Sequence, residues 1–97
     1  MDEVVYYNDL YDLYGDLLTD KQKTYFEDYY FHNLSFSEMA DNYHVSRNAV
    51  FQQVHIVVVK LDEYEQKLHL LEKKQKLSQL LVYIDNDNLK KELESLF

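Results

Sequence analysis

The chain contains no cysteine and no proline, and its single glycine is Gly15. Without cysteine there is no disulfide framework and no thiolate metal site, and the composition suits a reducing interior. Strands joined by hairpins need turn residues that this chain lacks, whereas Leu, Lys, Glu, Gln and Asp are abundant, so an all-α fold is predicted. No apolar run approaches the length that crosses a bilayer, and the N-terminus opens with Asp2 and Glu3 rather than a leader. A cytoplasmic protein without membrane insertion is expected. There is no glycine-rich phosphate loop, no nucleophile beside a base and no carboxylate pair in an evident cleft, so neither an enzyme nor a cofactor is expected. His32, His44, His55 and His69 share no helical pairing, and no metal site is predicted.

Basic charge is scarce in one half only. Residues 1–46 hold ten acids against Lys21 and Lys23, while residues 47–97 hold eight charges of each sign, so the whole net charge of −8 is N-terminal. Such a surface repels phosphate at long range and attracts a basic partner.

Within a length of 97 residues, one domain is expected, and it is organised around residues 34–61. Phe36, Met39, Ala40 and Tyr43 lie three or four apart, on one helical face. Ser35 or Ser37 can cap that helix, with Glu38 completing a capping box with Ser35. His44 and Val45 form a turn in which Val45 is expected to tuck inward, and Ser46 offers a hydroxyl to the amide of Asn48 or Ala49. This is a helix-turn-helix, with the small Ala40 where the two helices cross most closely.

Upstream, residues 4–18 carry Tyr6, Tyr7, Leu10, Leu13, Tyr14, Leu17 and Leu18 opposite Asp9, Asp12 and Asp16, an amphipathic helix. Thr19 and Gln22 form a second capping box for a helix that runs to about residue 32 and turns Tyr25, Phe26, Tyr29 and Tyr30 inward or toward a partner. Downstream, Val50, Val54, Val57, Leu61, Tyr64, Leu68 and Leu71 repeat as a heptad seam, which predicts one long helix over 47–74. Ile56, Val58 and Val59 add an apolar girdle. Together Val54, Ile56, Val57, Val58, Val59, Leu61, Tyr64, Leu68 and Leu71 are the candidate homodimer interface. Residues 76–97 form a C-terminal helical segment, interrupted at 85–88, that can pack back on the long helix. The ten tyrosines offer rings for stacking on unpaired bases, but at helical spacing they are read first as core residues whose hydroxyls reach water.

LTDKQ at 18–22, YY at 29–30, LSFSEMA at 34–40, VSRNAVF at 45–51 and LDEYEQKLHL at 61–70 together resemble the YlxM family, helix-turn-helix proteins linked to the bacterial signal recognition particle. The likeness spans roughly residues 6–72. More remotely, the segment is similar to the region-four promoter-binding domain of sigma factors, in which SR opens the recognition helix. The resemblance implies a four- to five-helix fold, and with the periodicities above a bundle of four to six helices with one long helix in its C-terminal half is expected. It also implies association with the particle's protein or RNA.

In a DNA-reading helix-turn-helix the candidate contacts are Ser46, Arg47, Asn48, Gln52 and His55. Arg47, Asn48 and Gln52 suit base edges, with an exposed polar residue as the plain alternative for each. Phe51, on the same face, does not donate. Lys73, Lys74 and Lys76 are candidate RNA contacts. Two functions therefore stand open: an adaptor binding the particle's protein and/or RNA, or a dimeric sequence-specific regulator that reads duplex DNA.

Overall fold

The computed structural model describes residues 3–97; Met1 and Asp2, the latter among the acids counted above, lie outside the described residues. The secondary structure of the described residues is entirely helical. Helix α1 (Glu3–Tyr14) runs into a single 3₁₀ turn (Gly15–Leu17) and is followed by α2 (Asp20–Tyr30), α3 (Phe36–Tyr43), α4 (Arg47–Leu68), α5 (Leu70–Leu81) and α6 (Asp87–Glu94). None of these helices is long and apolar enough to cross a membrane.

Four helix starts, those of α2, α3, α4 and, through Asn86, α6, are set by side chains that satisfy amides left free at a helix N-terminus. Thr19 and Gln22 bond reciprocally at the start of α2, and Ser35 and Glu38 do the same at α3. The Ser46 hydroxyl accepts from the Ala49 amide at 3.0 Å and opens α4. Many helices end on a left-handed residue, ordinarily glycine. Here Asn33, His44 and His69 adopt φ near 56°, 55° and 56°, whereas Gly15 does not. A Cβ on Gly15 would instead lie 3.2 Å from the Tyr11 ring, so that glycine admits a close approach.

Helix α4 is the spine. Val50 and Val54 pack with Tyr25, Met39 and Ala40 in one core cluster. One to two turns further on, Val57 and Leu61 join Tyr7, Leu10, Tyr14, Leu18, Phe26 and Leu71 in a second. The expected close crossing at Ala40 is present, since Ala40 and Met39 are both buried against α4.

Five expectations require correction. The long helix does not run over 47–74 but breaks at His69. Glu65 causes the break: its carboxylate accepts from the Leu71 and Glu72 amides at 3.0 and 3.1 Å. The Tyr14 hydroxyl donates to Glu65 at 2.7 Å and accepts from the Leu70 amide at 3.1 Å. Three amides that a continuous helix would bond to its own carbonyls are thus satisfied from the side. Secondly, the seam is not a dimer interface as read: Val54, Val57, Leu61 and Leu71 are buried in this chain's own core, and Val58 and Tyr64 pack partly against it. Only Ile56, Val59 and Leu68 of that set stay exposed. The kink sends Leu71 toward α1 and leaves Leu68 45% exposed.

Thirdly, Val45 does not tuck inward but is 42% exposed, because the left-handed His44 turns the chain outward before Ser46. Leu17 likewise faces solvent, its helical register lost in the 3₁₀ turn. Finally, α5 and α6 do not fold back along α4. Helix α5 rests on α1, α6 touches chiefly α5, and the molecule is drawn out to 54 × 25 × 25 Å.

Candidate nucleic-acid interface

The interface is built by the start of α4. Because Ser46 caps it, the first turns project Arg47, Asn48, Phe51, Gln52 and His55 on the side away from Val50, Val54 and Val57, and all five are exposed. The spacing of three to four residues that buries one face also gathers these five on the other. Ser46 serves as the cap rather than as a free contact. Among the described residues, Arg47, Asn48 and Gln52 have no side-chain hydrogen bond or ion pair and stand ready for an outside partner.

Sequence reasoning left Phe51 out, although it is the most structured part of the face. Its ring meets Phe36 edge-on, with centroids 5.8 Å apart, and lies within 8° of parallel to His55, again at 5.8 Å. Phe36 is stacked in turn on Tyr29 at 4.7 Å. Phe36, Arg47, Asn48 and Phe51 line one shallow surface concavity. The signal in the sequence was the four-residue spacing of Phe51 and His55 on the polar face.

Electrostatics around this face are adverse to a phosphate backbone. Arg47 is the chain's single arginine, and α3 beside it carries Glu38 and Asp41, both exposed. Glu38 is held below the ordinary carboxylate range by the Ser35 amide and hydroxyl, which favour its charged form.

Lys73, Lys74 and Lys76 are exposed on α5, and the structure does not bring them to the same face. Residues 56–68 of α4 separate that face from α5, about 20 Å at ~1.5 Å per residue. Lys73 and Lys76 instead border a hollow with His69 and Glu72, whose side chains meet at 3.2 Å. Lys74 lines another with Asp9.

The tyrosines differ from expectation in one respect. Tyr7 and Tyr14 are core residues, but their hydroxyls do not simply reach water: Tyr7 donates to Asp62 at 3.0 Å and Tyr14 to Glu65. Tyr11 donates to Glu27 and Tyr43 to Asp28. Part of the acidic surplus is therefore engaged in tying helices together.

A family model described as "Putative helix-turn-helix protein, YlxM / p13 like" matches residues 1–96. The chain is 48% identical over 73 residues to a UPF0122 protein of Shouchella clausii, an alignment covering 75% of this chain and 67% of that one. It is 38% identical over 96 residues to a UPF0122 protein of Fusobacterium nucleatum, covering 99% and 93%. With one from Halalkalibacterium halodurans it shares 41% over 81 residues, covering 84% and 74%.

Proposed function

Since the chain belongs to the UPF0122 family of YlxM- and p13-like helix-turn-helix proteins, we propose that it is a non-catalytic regulatory adaptor of the bacterial signal recognition particle pathway. In this reading it binds the particle's protein and/or RNA through its helix-turn-helix domain. The observation that carries the reading is the composition of the reading face: Arg47, Asn48 and Gln52 are free to contact a partner, yet Arg47 is the only cation at the start of α4, and α3, packed against α4, exposes Glu38 and Asp41. Duplex binding draws its affinity from many neutralised phosphates, and this face supplies few. An RNA loop or a basic protein surface suits it better.

The other reading, a sequence-specific regulator of duplex DNA, is favoured by the motif itself, since Arg and Asn at the start of a recognition helix are good readers of base edges. Anisotropy titrations of the chain against random duplex DNA and against the particle's RNA, each at two salt concentrations, separate the two. The adaptor binds the RNA more tightly. Tight, steeply salt-dependent binding to random duplex that Arg47→Ala abolishes would put the DNA regulator first.

We also propose self-association as a homodimer, now through the outer surface rather than the seam. Ile56, Val59 and Leu68 on α4 and Leu80, Val82, Tyr83 and Leu96 beyond it are exposed, Tyr83 by 83%, and these apolar side chains are what a second copy would cover.

A further inference from the structure

Phe51 is 46% exposed at the centre of a polar face, where a major-groove reader gains from it only contact with a thymine methyl. A lone exposed apolar residue calls for no explanation, but this one is held in place. Phe36 supports it edge-on, Tyr29 stacks behind Phe36, and His55 lies nearly parallel beside it. Its orientation is thus fixed before anything binds, which lowers the entropic cost of binding. The same concavity is lined by Arg47 and Asn48, a guanidinium and an amide. A π surface next to planar hydrogen-bonding groups matches a nucleobase, which presents a flat face and a polar edge together. In a duplex that face is covered by its neighbours; in an RNA loop it is free.

We propose that Phe51, with His55 beside it, is a stacking platform for one unpaired base of an RNA loop, and that Arg47 and Asn48 engage the edge of the stacked base. The proposal deepens the RNA-binding reading and rests on it. It also accounts for the thin positive charge: stacking supplies affinity that does not depend on neutralising phosphate, so the salt dependence is shallow. Glu38 and Asp41 then disfavour a continuous backbone running over α3 while leaving a base inserted at Phe51 undisturbed.

The test is an anisotropy titration with a labelled hairpin RNA bearing an all-adenine loop and with the same stem extended into a full duplex. The parent chain binds the hairpin in preference to the duplex. Phe51→Ala and Phe51→Leu each weaken hairpin binding by roughly 5- to 100-fold, the loss of one base–aromatic stack; Phe51→Trp retains it. Leucine separates stacking from apolar bulk, and an unchanged helical circular dichroism spectrum shows that the variants fold. In NMR spectra of the parent chain the Phe51 ring protons shift upfield on adding the hairpin. If the parent binds the hairpin and both Phe51→Ala and Phe51→Leu bind it equally well, the platform is overturned while the RNA-binding reading stands. If the parent binds a basic protein of the particle but neither RNA, the platform and the RNA part of that reading fall together.

Discussion

Tyr14 and Glu65 show how far a residue's role exceeds its place in a pattern. The spacing marked Tyr14 as core, and it is; what spacing could not show is the carboxylate 51 positions away that its hydroxyl meets. Burial opposes the charge on Glu65, but the Tyr14 hydroxyl, the Leu71 and Glu72 amides and nearby His69 outweigh it and hold its pKa below the ordinary carboxylate range. The contribution of Glu65 to stability is therefore present above that range and is lost as pH falls through the depressed folded value. Glu65→Gln should flatten the acid limb of stability against pH, measured by urea unfolding at stepped pH. Tyr14→Phe should cost about 1.5–3 kcal/mol, the worth of a hydrogen bond to a charged group, seen as a lower urea midpoint. At the alkaline end, burial followed by Glu65 pushes Tyr14 up to about 12, burial followed by Glu3 does the same for Tyr30, and the Asp28 hydrogen bond followed by burial for Tyr43. Raised values of this kind stabilise the fold below the usual tyrosine range and cease to as pH climbs through the shifted ones. Absorbance titration should show these rings ionising late and together with unfolding.

Helix boundaries were legible wherever their cause is local. Thr19 with Gln22 and Ser35 with Glu38 lie three residues apart, and both boxes form; Thr19→Ala should lower unfolding free energy by about 1 kcal/mol. The end of α4 was illegible because its cause is distant: a heptad pattern continues through His69, while the groups that end the helix come from α1 and from the preceding turn. Left-handed residues were hidden for a related reason, since a chain with one glycine must use His and Asn there. That choice leaves strain at His44. His44→Gly should raise the thermal midpoint, by roughly 0.5–1 kcal/mol of stability, because glycine adopts the conformation without a Cβ clash while losing more freedom on folding. Within α6 no residue is buried, so its amides should exchange with solvent well before those of α4 in a hydrogen-exchange time course.

For the whole molecule, the acidic half sets what approaches it. Random duplex DNA should bind with a dissociation constant on the order of 10⁻⁴ M or poorer at physiological salt, measured by anisotropy. Self-association should appear as a dimer mass in sedimentation at roughly micromolar concentrations and above, the range of ordinary specific pairs, and Val82→Glu with Tyr83→Glu should return it to a monomer; a monomeric parent would assign that apolar surface to another partner. The all-α class and the helix-turn-helix could be read directly from periodicity and caps, whereas the extended outline depends on which helices meet, α5 on α1 and α6 chiefly on α5, which no local pattern encodes. The tyrosine–carboxylate pairs have an optical consequence as well. The chain has no tryptophan, so its emission comes from ten tyrosines, and phenols that donate to Asp62, Glu27, Glu65 and Asp28 lose excited-state energy by passing a proton along those bonds. Its intrinsic fluorescence should be dim in the native state and brighten on denaturation, so that the protein reports its own unfolding without a label.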